Sequence, residues 1–228
     1  MSKKVSAIIL AGGCGKRMGS GEAKQLLSLC GLSIIERSID AFSQCTDVED
    51  LVIVSRKEDL LFISEIAEKY PKVKRICLGG KSRAESAKNG FLACEKDTDV
   101  VAFHDAARCL ITPEMISKVI KTAVKFGAAT AATPVFDTLK RVNSEGVIVE
   151  TVSREGLWSA QTPQVFSYSI YKKAIYEFYD ENATDDNSLV ERLGVPIRAV
   201  DTGKENIKIT VADDLFLAQY IINKREKK

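Results

Sequence analysis

Val5-Ser6-Ala7-Ile8-Ile9-Leu10 runs directly into Ala11-Gly12-Gly13-Cys14-Gly15-Lys16-Arg17-Met18-Gly19. The first half is a short, nearly continuous apolar run that ends at glycines. It is far too short to cross a bilayer and predicts a strand buried on both faces. Such strands belong to mostly parallel sheets with helices packed above and below. The same alternation continues along the chain. Apolar runs at Leu51-Val54, Val73-Leu78, Val100-Phe103 and Ala128-Pro134 alternate with helix-length amphipathic segments at Ser33-Phe42, Glu58-Lys69, Ser82-Cys94 and Pro113-Phe126. Pro113 suits a first helical turn. Helices at Ser167-Tyr179, Asp185-Leu193 and Ala212-Ile222 and a strand at Ile197-Val200 complete an α/β layer. There is no linker or repeat, so residues 1–228 are expected to form one domain.

The pattern breaks at Asp137-Arg154. Leu139, Val142, Val147, Val149 and Val152 lie in two short extended runs around Asn143-Ser144-Glu145-Gly146, which predicts a β-hairpin. An isolated hairpin is marginal in water, so this one needs something to pack against.

The charge balance narrows the function. Lys+Arg number 33 against 31 Asp+Glu, a net charge of +2 that is too even for a polybasic nucleic-acid binder. It still allows a small anionic ligand held by local cations. The six cysteines are scattered, with no C-x-x-C, and His104 is the sole imidazole. A zinc site is therefore disfavoured, and most of the cysteines are expected to be buried thiols in a reducing compartment. Lys3 and Lys4 followed by an apolar stretch ending at Cys14 faintly mimic a lipoprotein signal. The stretch is short for a signal core and reads better as the first strand of a cytoplasmic protein with no membrane role.

Ligands of open α/β sheets bind beyond the carboxyl ends of the strands, so the segments following each strand matter most. The first loop is glycine-rich and adds Arg17 and Lys24, a combination that favours phosphate binding through backbone N–H groups and fixed charge. Its spacing fits neither a dinucleotide fingerprint nor a P-loop. Gly80-Lys81-Ser82-Arg83 opens a helix, either as simple capping by Ser82 or as an anion site that Ser86 could also reach. Asp105, just past a buried strand, is either a turn residue or a ligand for Mg²⁺ beside phosphates. Trp158-Ser159-Ala160-Gln161-Thr162-Pro163-Gln164 reads as a polar turn, and Thr184-Asp185-Asp186 as a helix N-cap. Asn206-Ile207-Lys208-Ile209-Thr210 has the alternation of a half-buried strand with Lys208 in solvent. His104 is read as structural.

In order along the chain, these segments resemble a family. Leu10-Ala11-Gly12-Gly13-Cys14-Gly15-Lys16-Arg17-Met18 is similar to the signature loop of sugar-phosphate nucleotidyltransferases. Lys24-Gln25, Gly79-Gly80…Arg83…Ser86, His104-Asp105-Ala106-Ala107-Arg108, Asp137-Thr138…Lys140, Gln161-Thr162-Pro163-Gln164, Thr184-Asp185-Asp186 and Asn206-Ile207-Lys208-Ile209-Thr210 sharpen this. Together they resemble the cytidylyltransferases that act on 2-C-methyl-D-erythritol 4-phosphate. The resemblance implies a Rossmann-like three-layer fold with a mostly parallel sheet. It implies CMP transfer from CTP to methylerythritol phosphate with Mg²⁺ or another divalent ion, in non-mevalonate isoprenoid biosynthesis.

By the same resemblance Arg17 and Lys24 are the catalytic cations. Ala11, Gly12, Gly13, Gly15, Gly80, Lys81, Ser86 and Asp105 bind the nucleotide, with Asp105 also on the metal. Arg108, Thr138, Arg154, Thr162, Thr184 and Lys208 face the sugar phosphate. The hairpin of residues 137–154 becomes an arm exchanged within a homodimer. Three departures stand out: Gly12 where the family more often has Ala, Cys109 for a Pro after Arg108, and Ala23 for a Pro before Lys24. Competing readings are a ribitol-5-phosphate cytidylyltransferase and a non-catalytic nucleotide-binding protein of the same fold.

Overall fold

The computed structural model describes residues 3–12 and 24–227. Strand β1 (Val5–Leu10) is followed by a 3₁₀ turn (Lys24–Leu26), a small hairpin of β2 (Ser28–Leu29) and β3 (Leu32–Ser33), and α1 (Ile34–Gln44). Then come β4 (Asp50–Ser55), α2 (Leu60–Ala67), β5 (Val73–Leu78), α3 (Arg83–Leu92), β6 (Val100–Asp105), α4 (Pro113–Phe126) and β7 (Ala128–Pro134). The hairpin β8 (Leu139–Val142) and β9 (Ile148–Val152) precedes β10 (Trp158–Ser167), α5 (Tyr168–Phe178), α6 (Asn187–Glu191), β11 (Arg198–Asp201) and α7 (Asp213–Glu226).

Seven strands form the central sheet in the order β11-β7-β10-β6-β1-β4-β5. Only β10 runs against its neighbours, pairing antiparallel with both β6 and β7. Strands β1, β4, β6 and β7 are buried on both faces along most of their length, which explains why they read as nearly continuous runs of apolar or small residues. Alternation along β1 shows the division. Val5, Ala7 and Ile9 pack with Ile35, Ile39 and Phe42 of α1 and Ile116 of α4 on one side. Ile8 packs with Phe91 of α3 and Tyr171 of α5 on the other. Each large apolar side chain buried in this way contributes about 1.5–3 kcal/mol relative to leaving it in water.

Local sequence places the helices. Ser33 accepts from Glu36 N–H at the start of α1, Ser82 from Glu85 N–H at the start of α3, and Thr112 from Met115 N–H before Pro113 in α4. Helix α3 lies close against the sheet. A Cβ at Gly90 would stand 2.4 Å from Ile8 Cγ2 and 2.8 Å from Val54 Cγ2, so only glycine permits this approach.

The structure departs from the sequence pattern at two segments. The stretch Trp158–Gln164, read as a polar turn, is the first part of β10 at the heart of the sheet. Its polar residues Gln161, Thr162 and Gln164 are buried and hydrogen-bonded, so they imitate a solvent-facing turn. The segment 206–210 forms no strand. Ile209 N–H instead bonds Ala107 O, and Ile209 joins a third apolar cluster with α7. The predicted hairpin is present. Its tip and faces are exposed, including Val142, Val147, Ile148 and Val149. Among the described residues no helix is long and apolar enough to cross a membrane.

Candidate active site

Strand β1 lies between β4 and β6, where the chain's progression through the sheet reverses. Such a switch point opens a crevice at the carboxyl ends of the strands. The backbone there is pinned: Ala11 N–H donates to Val54 O at 2.8 Å, Gly79 N–H to Ser55 O at 2.8 Å and Ala106 N–H to Leu10 O at 3.0 Å. A cavity of about 290 Å³ sits on this edge. Its wall includes Ala11, Gly12, Gly80, Lys81, Ser86, Asp105 and Lys208, all expected from the sequence. Leu10, Gln25, Ser82, Arg83, Ala106 and Ala107 complete it.

The turn leading into α3 is held by side chains. Ser86 Oγ accepts from Gly80 N–H at 3.0 Å and donates to Ser82 O at 2.9 Å. Glu85 accepts from Lys81 N–H at 2.6 Å. The departure at Gly12 is benign: an alanine Cβ would lie 3.3 Å from Ser86 Oγ, a tight approach that the hydroxyl could relieve by a small shift. Gln25, also in the wall, donates to Ala11 O at 3.0 Å and to Asp59 Oδ2 at 2.9 Å, and Arg56 clamps both oxygens of Asp59 at 2.7 Å. This fastens the 3₁₀ turn that Lys24 opens. Gly13, Gly15 and Arg17 lie outside the described residues, as does the side chain of Lys24.

Asp105 is the electrostatic centre. Lys208 Nζ approaches its Oδ2 at 2.7 Å and Arg83 Nε its Oδ1 at 3.4 Å. Burial alone would raise the carboxyl's pKa, but Arg83 and Lys208 outweigh it and hold the value at about 2. Asp105 is therefore ionised at neutral pH. Its N–H donates to Thr162 Oγ1 at 3.1 Å, and the same hydroxyl lies 3.1 Å from His104 Nδ1. His104 is fully buried, which drives its pKa down to about 3, so it stays neutral. It lies in the core and is not part of the cavity wall.

The remaining expected residues lie around this centre. Thr162 is buried under Asp105 and is not part of the cavity wall. Arg108 donates to Asn206 O at 2.9 Å and to Ala160 O at 3.4 Å, tying the 206–210 segment to β10. Thr138 and Arg154 are exposed at the base of the hairpin, where Arg154 Nη1 bonds Phe136 O. Thr184 is exposed before α6. The neighbouring aspartates split their tasks. Asp185 Oδ1 accepts from Ser188 N–H in the expected capping manner, while Asp186 is turned inward. Asp186 and Arg83 form an ion pair at 2.8 Å that sequence reading missed. A helix-start Arg and a helix-cap Asp carry no signal of their long-range pairing.

A glycine-walled crevice with an ionised carboxylate and converging cations, at the switch point of a mostly parallel sheet, is the arrangement of a nucleotidyltransferase. The family profile of 2-C-methyl-D-erythritol 4-phosphate cytidylyltransferase matches residues 5–224. The proteins of that name from Syntrophus aciditrophicus and Pelotomaculum thermopropionicum are 39% and 41% identical. The first alignment covers 99% of both chains, the second 98% of this chain and 96% of the relative. The crystal structure of 4-diphosphocytidyl-2C-methyl-D-erythritol synthase from Anaerococcus prevotii superimposes with a TM-score of 0.83 at 28% identity, covering 98% of this chain and all of that one. The chain belongs to the 2-C-methyl-D-erythritol 4-phosphate cytidylyltransferase family.

Proposed function

We propose that this chain transfers CMP from CTP to 2-C-methyl-D-erythritol 4-phosphate, yielding 4-diphosphocytidyl-2-C-methyl-D-erythritol and pyrophosphate. The observation that carries the reading is the convergence of the Gly80–Ser86 turn, Asp105 and Lys208 on one cavity, in a chain of this family. A phosphate oxygen of the sugar phosphate attacks the α-phosphorus of CTP. The bond from that phosphorus to the bridging oxygen breaks, and pyrophosphate leaves with the electron pair. The nucleophile is already an anion, so no strong general base is needed, and a buried neutral His104 is consistent with that.

In this reading Arg17 and Lys24 stabilise charge on the reacting phosphorus and the leaving group. Ala11, Gly12, Gly13 and Gly15 present backbone to the nucleotide, with Gly80, Lys81 and Ser86 on the facing wall. Lys208, Arg108, Thr138, Arg154 and Thr184 serve the sugar phosphate. Thr162 contributes through its hydrogen bond to the Asp105 backbone.

Among the described wall residues Asp105 is the carboxylate that would hold Mg²⁺. Among the described residues no cluster of three or more His, Cys, Asp or Glu could cage a metal. A single ionised carboxylate suits Mg²⁺, which is usually held by one or two carboxylates together with substrate phosphates and water. When bound, Mg²⁺ would neutralise phosphate charge.

A homodimer formed through the β8–β9 arm completes the reading. The arm's exposed Val142, Val147, Ile148 and Val149 find no cover among the described residues. An apolar hairpin surface of that kind calls for a partner.

The deciding experiment assays four nucleoside triphosphates against methylerythritol, ribitol and glucose phosphates, reading pyrophosphate release. Release only with CTP and methylerythritol phosphate is the expected result. Preference for ribitol phosphate would reassign the substrate, and no release in any well would favour a binding protein.

A further inference from the structure

Behind Asp105 runs a line of buried polar groups for which the transfer chemistry itself has no use. Tyr171 of α5 is fully buried, its ring 4.3 Å from that of Phe103 and 5.1 Å from that of Phe91. Its hydroxyl donates to Asp186 Oδ1 at 2.7 Å. Asp186 is only 1% exposed. Its N–H donates to Gln164 Oε1 at 2.8 Å, and its Oδ2 accepts from Arg83 Nη1 at 2.8 Å. Arg83 then reaches Asp105 through Nε and stands in the cavity wall itself.

Burying a carboxylate this deeply costs several kcal/mol unless it is well compensated. Asp186 has that compensation, yet an apolar residue would fill the same space without the cost. What the buried pair supplies is geometry. Arg83 opens α3 and is fastened from behind at one end of its planar fork, so the other end has a fixed direction. Burial opposes the guanidinium's charge, but Asp186 and Asp105 outweigh burial and raise its pKa, so the fork remains charged throughout.

We propose that Arg83 is a positioning residue: held by Asp186 and Tyr171, it fixes the Asp105 carboxylate and thereby sets the affinity for the nucleoside triphosphate. The inference rests on the nucleotidyltransferase reading of the cavity. It separates Arg83 from the transition-state cations. Losing Arg83 weakens nucleotide binding, whereas losing a transition-state cation lowers kcat.

The test uses the full chain and four variants: Arg83→Gln, Arg83→Lys, Tyr171→Phe and Asp186→Asn. CTP affinity is read by titration calorimetry, KM and kcat by pyrophosphate release, and folding by melting temperature. Arg83→Gln is expected to raise the CTP Kd and KM about tenfold, with kcat within roughly threefold of the unaltered protein. Arg83→Lys should not restore affinity, because an ammonium cannot span both carboxylates. Tyr171→Phe removes one hydroxyl and keeps the ring. It should raise the CTP KM about two- to threefold. In an Arg83→Gln background neither Tyr171→Phe nor Asp186→Asn should raise the CTP KM further, since both act through Arg83.

Rescue by Arg83→Lys would overturn the proposal, because charge alone would then suffice. Lower melting temperatures with unchanged CTP affinity would also overturn it and leave a purely structural ion pair. An unaltered protein that neither binds CTP nor releases pyrophosphate overturns the function and the relay together. An active protein whose Arg83→Gln and Tyr171→Phe variants keep the original KM overturns the relay alone.

Discussion

Lys208 and Asp105 are 103 residues apart in the chain and 2.7 Å apart in space, Nζ against Oδ2 in the cavity wall. Their pairing brings a C-terminal segment without regular structure to the end of the central strand β6. It also sets the acid behaviour of the site. Asp105 has a pKa of about 2 in the fold, against about 3.9 for an unfolded chain. Its contribution to stability is therefore complete above about pH 4 and is lost as pH falls through about 2. Lys208→Met should raise that pKa and move the acid loss upward in thermal melts between about pH 2 and 5. At neutral pH the same variant should lose roughly 10–100-fold in kcat/KM for the sugar phosphate and melt at a lower temperature, because the stabilisation Lys208 gives the ionised carboxylate is lost there as well. An unchanged acid curve would show that Lys208 does not govern the carboxyl.

His104 supplies a separate pH signature. It is the only histidine in the chain, so its ring resonances are unambiguous. Its pKa in the fold is about 3, against about 6.5 unfolded. Between those values the unfolded chain binds a proton that the folded chain does not. The contribution of His104 to stability should therefore fall by about 1.4 kcal/mol per pH unit as pH drops below about 6.5. The imidazole resonances should stay those of the neutral ring down to about pH 4.5. A ring that titrates near pH 6.5 in the folded protein contradicts this environment.

Lys24 separates catalysis from folding. Lys24→Ala should lower kcat by roughly 10²–10⁴-fold, the scale of a lost electrostatic contact to a reacting phosphate. The melting temperature should hardly move, because Gln25, Asp59 and Arg56 fasten that turn independently of the lysine side chain. A near-normal kcat would remove Lys24 from the chemistry.

Metal removal gives a complementary readout. EDTA should stop turnover, and added Mg²⁺ should restore it. Asp105→Asn should require far more Mg²⁺ for half-maximal rate and retain the fold at neutral pH. Full activity in EDTA would take the metal out of the reaction.

Arg154 tests the arm. Arg154→Ala should raise the KM for the sugar phosphate and leave CTP binding nearly unchanged. If Arg154 serves the neighbouring subunit, mixing Arg154→Ala with Lys24→Ala creates heterodimers with one intact and one doubly damaged site. After subunit exchange, activity should return to about a quarter of that of the unaltered protein. If Arg154 serves its own subunit, mixing restores nothing. Sedimentation of a fully active monomer would end the proposal.

Which parts of the structure could be read from the chain follows from where polar groups are buried. β1, β4, β6 and β7 were plain because both faces are covered and their residues are apolar or small. β10 was hidden because Gln161, Thr162 and Gln164 are polar and buried, with Pro163 among them. Proline ordinarily argues against a central strand. At the site, Gly12, Gly80, Lys81, Ser86 and Asp105 are legible because they lie at or just after a strand end or in the first turn of a helix. Asp186 looked like a second helix cap, and only the fold reveals that it anchors Arg83. Lys208 is marked only by the family resemblance; its alternating neighbours point to solvent, not to Asp105.

The placement of β10 bears on how the chain is made. Strands β6 and β7 follow one another in sequence, but in the sheet they are separated by a strand whose last residue is Ser167. While a nascent chain ends short of that point, the facing edges of β6 and β7 have unsatisfied backbone groups. The sheet therefore cannot close progressively behind the ribosome. It must wait for a late strand to enter between two earlier ones, and during that interval the half-made protein is exposed to mispairing and aggregation.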